Sequence, residues 1–378
     1  MERPPVLFLA MQPRVGADGG TTSLGEVITR LKHHRPIVVA DRDSRRVGEW
    51  RDRGIETHVL ELATDRGFRQ DPLGVMRSYL RYDRFLRRLL RQTGARVVHA
   101  NDPAAFQLAL SAVKRSKGVK IALNLRDTIH PSRRPPRRRF SVLFNAADHV
   151  FYLSEDMADR WAAVAPNAKR AYSVTYSIVD PVGFQPAPPP DEAGRPIVLL
   201  SGLIRPKKGQ LEFLREAAPA LAASGIDTWL AGDFDPSKDE YMAACAEAAR
   251  PLGDAVRFLG YRTDVPELMA RSTVVAVASR HEGLVRAMIE AMASARPVVS
   301  FDVCSAREVL EEKSGGAGTV VRAGDYAEMV EQIEHYCRDR SAAEEAGRRG
   351  RETASRLFAP DEVVKRYEDV YHRLGAGR

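Results

Sequence analysis

The stretch Ser279–Asp302, "SRHEGLVRAMIEAMASARPVVSFD", reads as turn, helix, turn and strand. A helix turns about 100° per residue, so Val285, Met288, Ile289 and Met292 fall at i, i+3, i+4 and i+7 and form one narrow apolar stripe for the core. Glu282 stands at the mouth of this helix, and Glu290 lies inside it, well away from the stripe. Beside Glu290 are Arg286, Ala287, Ala291, Ala293 and Ser294, small groups where a solvated face would carry Lys, Glu and Gln. Two readings are open. Glu290 is an exposed partner of Arg286, in an order worth only about 0.3 kcal/mol, or the small side chains let something approach the carboxylate closely.

On both sides of this stretch, apolar strands alternate with helical segments. The first half carries "PVLFLAM", "PIVVAD", "THVLEL", "RVVHAND", "VKIALNL" and "DHVFYLS", and the second "IVLLSG", "DTWLAGD", "AVRFLGY", "VVAVAS", "PVVSFD" and "GTVVRAG". Near-continuous apolar strands separated by helices predict parallel sheets covered on both faces. Between the halves, "FQPAPPPDEAGRP" (Phe184–Pro196) is too rich in proline for helix or central strand. The expected organisation is α/β: a Rossmann-like domain over 1–184, a linker over 185–196 and a second Rossmann-like domain over 197–358. Both are doubly wound and face a cleft, and ligands of such sheets bind where the strands end.

Length and composition agree. A chain of 378 residues is long for one core, and 44% hydrophobic with 29% charged residues is ordinary for a globular protein. Cys245, Cys304 and Cys337 lack metal-site spacing, no apolar run reaches membrane-spanning length, and the opening "MERPPVLFLAMQ" is too short for a secretory signal. A cytoplasmic protein is expected. The net charge of +8 is uneven: residues 1–184 hold 32 Lys and Arg against 19 Asp and Glu.

Two loops have the composition of phosphate sites. Gly19-Gly20 precede Thr21, Thr22 and Ser23, which suit the cap of a helix, although such a pair is often only a turn. "SGLIRPKKGQ" places Arg205, Lys207 and Lys208 at a helix entry, where cations oppose the dipole unless an anion binds between, or where they form a plain solvated turn. The turn at Gly283–Val285 adds further N–H donors. The triplets "DRD" (Asp41–Asp43) and "DFD" (Asp233–Asp235) are read as chance, so no metal is expected.

Together these residues resemble the retaining GT-B glycosyltransferases of family 4, the large group with sucrose synthase-like and mannosyltransferase members. Glu282 and Glu290 have the spacing of that family's E-x7-E motif, with "SGLIRPKKGQ", "LAGDFD", "FLGYRTDVPELMARS" and "GGAGTVVRAGD" around it in the family order. "VHANDPAAFQLAL" and "YLSEDMADR…YSIVDPVGF" fit segments of its N-terminal domain.

The resemblance implies a transferase that moves a sugar from a UDP- or GDP-sugar to a hydroxyl acceptor, without metal or cofactor. The N-terminal domain would bind the acceptor and the C-terminal one the donor. Residues 359–378 would be a terminal helix returning to the N-terminal domain. Glu290 would accept hydrogen bonds from the ribose, Glu282 would touch the sugar, and Lys208 and Arg205 would neutralise the diphosphate. Gly19, Gly20, Gly202, Gly283, Leu284, Val285, Tyr261 and Arg262 would line the donor, and Arg126, His99 and Asp102 the acceptor side. Asp127 joins the catalytic set.

Three departures stand out. Leu203 replaces the arginine the family has after the glycine. Arg126 replaces the histidine before Asp127, and arginine cannot serve as a base. Cys304-Ser305 replace a Gly-Gly that borders the donor sugar. A front-face retaining mechanism tolerates them, because the leaving diphosphate itself takes the acceptor's proton.

A sugar-nucleotide epimerase or phosphorylase is the enzyme alternative. A basic nucleic-acid-binding protein is the other, although no stacking motif accompanies the charge and no nucleic-acid partner is expected. The basic residues gather in "RSYLRYDRFLRRLLRQ" (Arg77–Gln92) and "HPSRRPPRRRF" (His130–Phe140). In the first run Arg77, Arg81, Arg84, Arg87, Arg88 and Arg91 share a helix with Leu73, Leu80, Leu86, Leu89 and Leu90, opposed only by Asp83. This is either an ordinary surface helix or a contact with an anionic membrane on the cytoplasmic side, the leucines staying in the core.

Overall fold

Strand content sets the architecture. Where the chain runs on apolar residues with at most one polar one among them, strands form that are buried along their whole length, as at Val97–Ala100, Val274–Val277 and Val298–Phe301. The computed structural model describes residues 3–11, 18–61, 72–128, 137–186 and 194–377. It divides into two units, Met1–Ile178 with Pro360–Arg378, and Val179–Ala359.

The first unit runs β1 (Pro5–Ala10), α1 (Asp18–Ile28), β2 (Arg35–Ala40), α2 (Arg45–Asp52), β3 (Glu56–Val59), α3 (Pro72–Thr93), β4 (Val97–Ala100), α4 (Pro103–Lys114), β5 (Lys120–Leu125), α5 (Arg137–Ala146), β6 (His149–Tyr152), α6 (Glu155–Ala162) and β7 (Tyr172–Val174). Its strands pair in parallel in the order β3-β2-β1-β4-β5-β6-β7.

The second unit runs β8 (Ile197–Ser201), α7 (Gln210–Glu216), α8 (Ala218–Ala223), β9 (Asp227–Ala231), α9 (Glu240–Ala249), β10 (Val256–Gly260), α10 (Val265–Arg271), β11 (Val274–Val277), α11 (Arg286–Ala293), β12 (Val298–Phe301), β13 (Gly318–Val321), α12 (Tyr326–Arg338) and α13 (Arg340–Leu357). Its parallel order is β10-β9-β8-β11-β12-β13. Strand order reverses between β1 and β4 in one sheet and between β8 and β11 in the other. Those are the places where loops diverge and leave room for a ligand.

The last helix, α14 (Pro360–Ala376), belongs to the first unit. Val363, Val364, Tyr367, Val370 and Tyr371 join a core that contains Phe8, Val97, Ala122 and Phe151. Glu368 Oε1 accepts the backbone N–H groups of Lys32, His33 and His34 at 3.0, 2.6 and 3.1 Å.

The division falls at residue 178, ahead of the expected boundary at 184. Val179 N–H donates to Phe358 O at 3.0 Å, and the Arg351 guanidinium donates to the carbonyls of Pro181 and Phe184, which ties this segment to α13.

Helix α3 departs from expectation. Tyr82, Leu86, Leu89 and Leu90 are buried, but Leu73 and Leu80 are 68% and 46% exposed, with Met76 and Tyr79 also outside. The geometry is simple: Leu73 and Leu80 lie roughly 160–180° around the helix from Tyr82. The leucines are therefore two stripes, and the outer one shares its face with Arg77, Arg84 and Arg91. Asp83 is buried and pairs with Arg87 at 2.8 Å. Most of the second basic run, 129–136, lies outside the described residues. Among the described residues no helix is long and apolar enough to cross a membrane.

Candidate functional site

At the strand-order reversal of the second unit, two loops are locked together through glycines. β8 leads into Gly202, whose φ of 143° suits only glycine. Gly209 has φ 74°, and a Cβ there would stand 2.1 Å from the carbonyl oxygen of Ala278, just after β11. Arg280 N–H donates to Lys207 O at 2.9 Å across the same junction. The expected cations reach the entry of α7 through a 3-10 turn: Lys207 and Lys208 lie on Pro206–Lys208, Arg205 stands just before it, and Gly209 joins it to the helix.

Gln210, which the sequence did not single out, holds this loop from beneath. Its buried amide donates to Leu203 O at 3.0 Å and accepts from Arg205 N–H at 3.3 Å.

Lys208 Nζ lies 2.8 Å from Glu282 Oε1 and Lys207 Nζ 3.8 Å from Oε2. Glu282 is only 7% exposed, and the two lysines face its carboxylate. The turn then enters α11 through Val285, which offers no side-chain cap. The first-turn N–H groups of α11 consequently have no acceptor within the helix, beside two lysines.

In α11 the stripe of Val285, Met288, Ile289 and Met292 is buried as expected. Glu290 Oε1 accepts from Arg286 Nε and Nη2 at 3.2 and 3.1 Å, so the plain pairing read from the sequence is present. The small residues have a different explanation from a vacant face. Ala291, Ala293 and Ser294 are fully buried, and α13 crosses α11 closely enough that a Cβ on Gly347 would meet Ala295 O at 2.2 Å. Glycine on α13 meets the turn that ends α11.

Around this centre, Tyr261 is 76% exposed after β10, and Arg262 is paired with Asp264. Leu203 is exposed and Arg205 lies on the surface. Asp235 is engaged by Lys238 and Ser237, which hold its carboxyl down at about 2, and Asp43 pairs with Arg51 at 3.1 Å. Among the described residues no cluster of three His, Cys, Asp or Glu side chains could hold a metal.

The loop with Cys304 and Ser305 turns through the left-handed region. Ser305 has φ 69°, a conformation that costs a non-glycine residue about 1–2 kcal/mol. Its hydroxyl donates to Gly283 O at 3.1 Å, which recovers about 1 kcal/mol.

In the first unit, α1 starts at Asp18, so Gly19 and Gly20 form part of its first turn and do not precede it; residues 12–17 lie outside the described residues. Gly20 is approached by Asn101 and Arg126, with Asn101 Nδ2 donating to Gly20 O at 3.3 Å. The sequence reading did not single out Asn101, although it directly follows β4 and precedes Asp102, which was named. Arg126 Nη2 reaches Ser177 Oγ at 3.4 Å, and Asp127 is exposed.

The other two acceptor-side candidates have structural roles. His99 is 1% exposed among Phe8, Phe151, Tyr367 and Tyr371, its Nδ1 2.9 Å from the Tyr371 hydroxyl. Burial, helped by Arg126, pushes its pKa down to about 3, so it is neutral and out of a substrate's reach. Asp102 caps α4, accepting from Ala104 and Ala105 N–H at 2.7 and 2.9 Å.

The chain has recognisable relatives. The family model described as Glycosyltransferase Family 4 matches residues 18–181, and that described as Glycosyl transferases group 1 matches residues 195–339. Alpha-D-kanosaminyltransferase of Streptomyces kanamyceticus is 28% identical over 185 residues, 48% of this chain and 46% of the relative. N-acetyl-alpha-D-glucosaminyl L-malate synthase of Bacillus anthracis is 29% identical over 121 residues, 32% and 31% of the two chains. The chain thus spans less than half the length of these curated relatives.

Among solved structures, Anabaena HepE in complex with UDP and glucose superposes with a TM-score of 0.79 at 20% identity, over 98% of this chain and 100% of that one. Sucrose-phosphate synthase from Thermosynechococcus elongatus gives 0.76 at 16%, over 99% and 100%. These likenesses establish the fold as two Rossmann-like units of the GT-B kind. With two family models that between them take up most of the chain, it belongs to glycosyltransferase family 4, the glycosyl transferases group 1.

Proposed function

We propose that the protein is a retaining glycosyltransferase that moves a sugar from a nucleoside-diphosphate sugar to a hydroxyl acceptor without a metal. One observation carries the reading: the Lys208–Glu282 pair stands beside the uncapped start of α11 where strand order reverses. A diphosphate fits that combination of cation and N–H groups. Lys208 and Arg205 stabilise the departing diphosphate, Glu282 contacts the sugar, and Glu290 accepts a ribose hydroxyl while Arg286 steadies its Oε1. Tyr261 and Arg262 lie on the donor side, with the backbone of Gly202, Gly283, Leu284 and Val285. UDP is the first donor nucleotide to test, because HepE of Anabaena was solved with UDP and glucose.

In the transfer, the bond from the sugar's anomeric carbon to the phosphate oxygen breaks. The acceptor oxygen bonds to the same face, and its proton passes to the departing phosphate oxygen. Positioning and charge stabilisation are then the protein's main tasks.

The test is a panel of UDP- and GDP-sugars. UDP or GDP should raise the melting temperature where an oligonucleotide does not, and one sugar should be hydrolysed slowly without acceptor, giving the anomer of the donor and continuing in EDTA. Melting stabilised by oligonucleotide alone would transfer the case to nucleic-acid binding. Epimerised sugar would mean an epimerase, sugar phosphate formed only with added phosphate a phosphorylase, and loss in EDTA restored by manganese would end the metal-free mechanism.

The same reading places the protein in the cytoplasm, resting on an anionic membrane surface through the outer face of α3. That face supports the idea better than the sequence did, since Leu73, Met76 and Leu80 are exposed beside its arginines.

A further inference from the structure

Ser305 lies between β12 and the turn at Glu308–Glu312, with φ in the left-handed region and no exposed surface. Glycine would adopt this backbone without strain, but glycine has no hydroxyl. That hydroxyl donates to Gly283 O at 3.1 Å and joins the loop after β12 to the turn that carries Glu282 into α11. A peptide unit is planar and trans, so the Gly283 C=O and the Leu284 N–H point in opposite directions. Holding the carbonyl toward Ser305 turns the Leu284 N–H the other way. It then stands immediately before the first turn of α11, whose N-cap Val285 provides no side-chain acceptor. Successive N–H groups before a helix start make a concave site for an anion.

We propose that Ser305 is a positioning residue, whose hydroxyl fixes the Gly283–Leu284 peptide so that the Leu284 N–H meets a phosphate of the bound nucleoside diphosphate. The proposal rests on the donor reading above and deepens it. It accounts for a strained serine where glycine would be relaxed: the hydroxyl is needed more than the relaxed backbone. Ser305 acts through a peptide and touches neither sugar nor base.

Two variants separate this role from simple loop packing. Ser305→Ala keeps the strain and loses the hydroxyl, whereas Ser305→Gly loses both, so the glycine variant should melt higher than the alanine one. Binding of UDP and GDP, and of uridine and guanosine, is measured by calorimetry on wild type and both variants. In each variant the nucleoside diphosphate that wild type binds should weaken by about tenfold, the effect of one lost charge-assisted hydrogen bond. Its nucleoside should bind as before.

Equal weakening of nucleoside and diphosphate would overturn the proposal, as would diphosphate binding that follows melting, poor in the alanine variant and normal in the glycine one. Unchanged binding in both variants would also remove the tether and leave the donor reading standing. A wild-type protein that binds neither UDP nor GDP would remove both.

Discussion

Replacing Lys208 by methionine keeps the length of the side chain and removes its charge from 2.8 Å beside Glu282 Oε1. Breaking a buried pair from one side usually costs about 3–5 kcal/mol, because the remaining charge has lost its compensation. Lys208 is a quarter exposed here and Lys207 stays 3.8 Å away, so the cost should fall to about 2–3 kcal/mol. For a unit of this size that lowers the melting temperature by roughly 5–10 °C. Adding Glu282→Gln removes the stranded charge and should return most of the loss. Catalysis should behave differently: without the cation, kcat falls by about 100- to 1000-fold, and the double variant regains none of it. Calorimetry on both variants, with rates of transfer from the donor found in the panel, tests the two halves separately. A single variant that melts with wild type would refute the electrostatic argument, and a double variant that transfers at the wild-type rate would refute the role of Lys208.

Glu290→Gln should slow transfer by roughly 30- to 1000-fold, the loss of about 2–4 kcal/mol of charged hydrogen bonding. Its melting should stay near wild type, since the pair with Arg286 is a helical i,i+4 contact; an active variant would remove the ribose role. A pH series reads the buried histidine: the folded His99 sits at about 3 against about 6.5 unfolded, so the unfolded chain takes up the proton first. Stability present above pH 6.5 should decline on going to pH 4.5 by about 2 kcal/mol through His99 and by a nearly equal amount through His149, which burial holds at about 4, so His99→Phe should about halve the slope. An unchanged slope in His99→Phe would contradict the placement of His99. Vesicle sedimentation tests α3: replacing Arg77, Arg84 and Arg91 by Gln should weaken binding to anionic vesicles by about 100-fold at low salt, at about 1 kcal/mol each. Equal, negligible binding of wild type to anionic and neutral vesicles would dispose of the membrane contact.

What the sequence made legible was what repeats. Strands buried on both faces leave runs of Val, Leu and Ala, and the stripe from Val285 to Met292 can be plotted and is buried as plotted. The small residues near Glu290 were visible, but their cause was not. The covering helix lies more than fifty residues further on, and nothing in "AMASA" indicates that Gly347 will press against it. α3 was open to reading and was misread: Leu73 and Leu80 were grouped with Leu86 by type, although their angles set them on the opposite face. Gln210 left no local signal, and Ser305 stood out only as a departure from the Gly-Gly of the family. Gln210 acts through two contacts with backbone and Ser305 through one, and a left-handed serine looks like any other until φ is known. His99 shows the reverse error, in which a chemically capable residue is credited with a role while aromatic neighbours from three other elements enclose it.

The place of α14 bears on the order in which this chain can fold as it is made. The core of the first unit includes Val363, Val364, Tyr367, Val370 and Tyr371. A ribosome delivers those residues only after all of Val179–Ala359 has emerged. Until then β1, β4 and β5 present Phe8, Val97 and Ala122 without their final cover, while the second unit has every strand it needs. The later unit in the sequence is thus free to fold first, and the earlier one waits, with apolar surface open to a chaperone or to a second nascent chain. A chain stalled after residue 359 should show this under pulse proteolysis, with the second unit resistant and the first still cleaved.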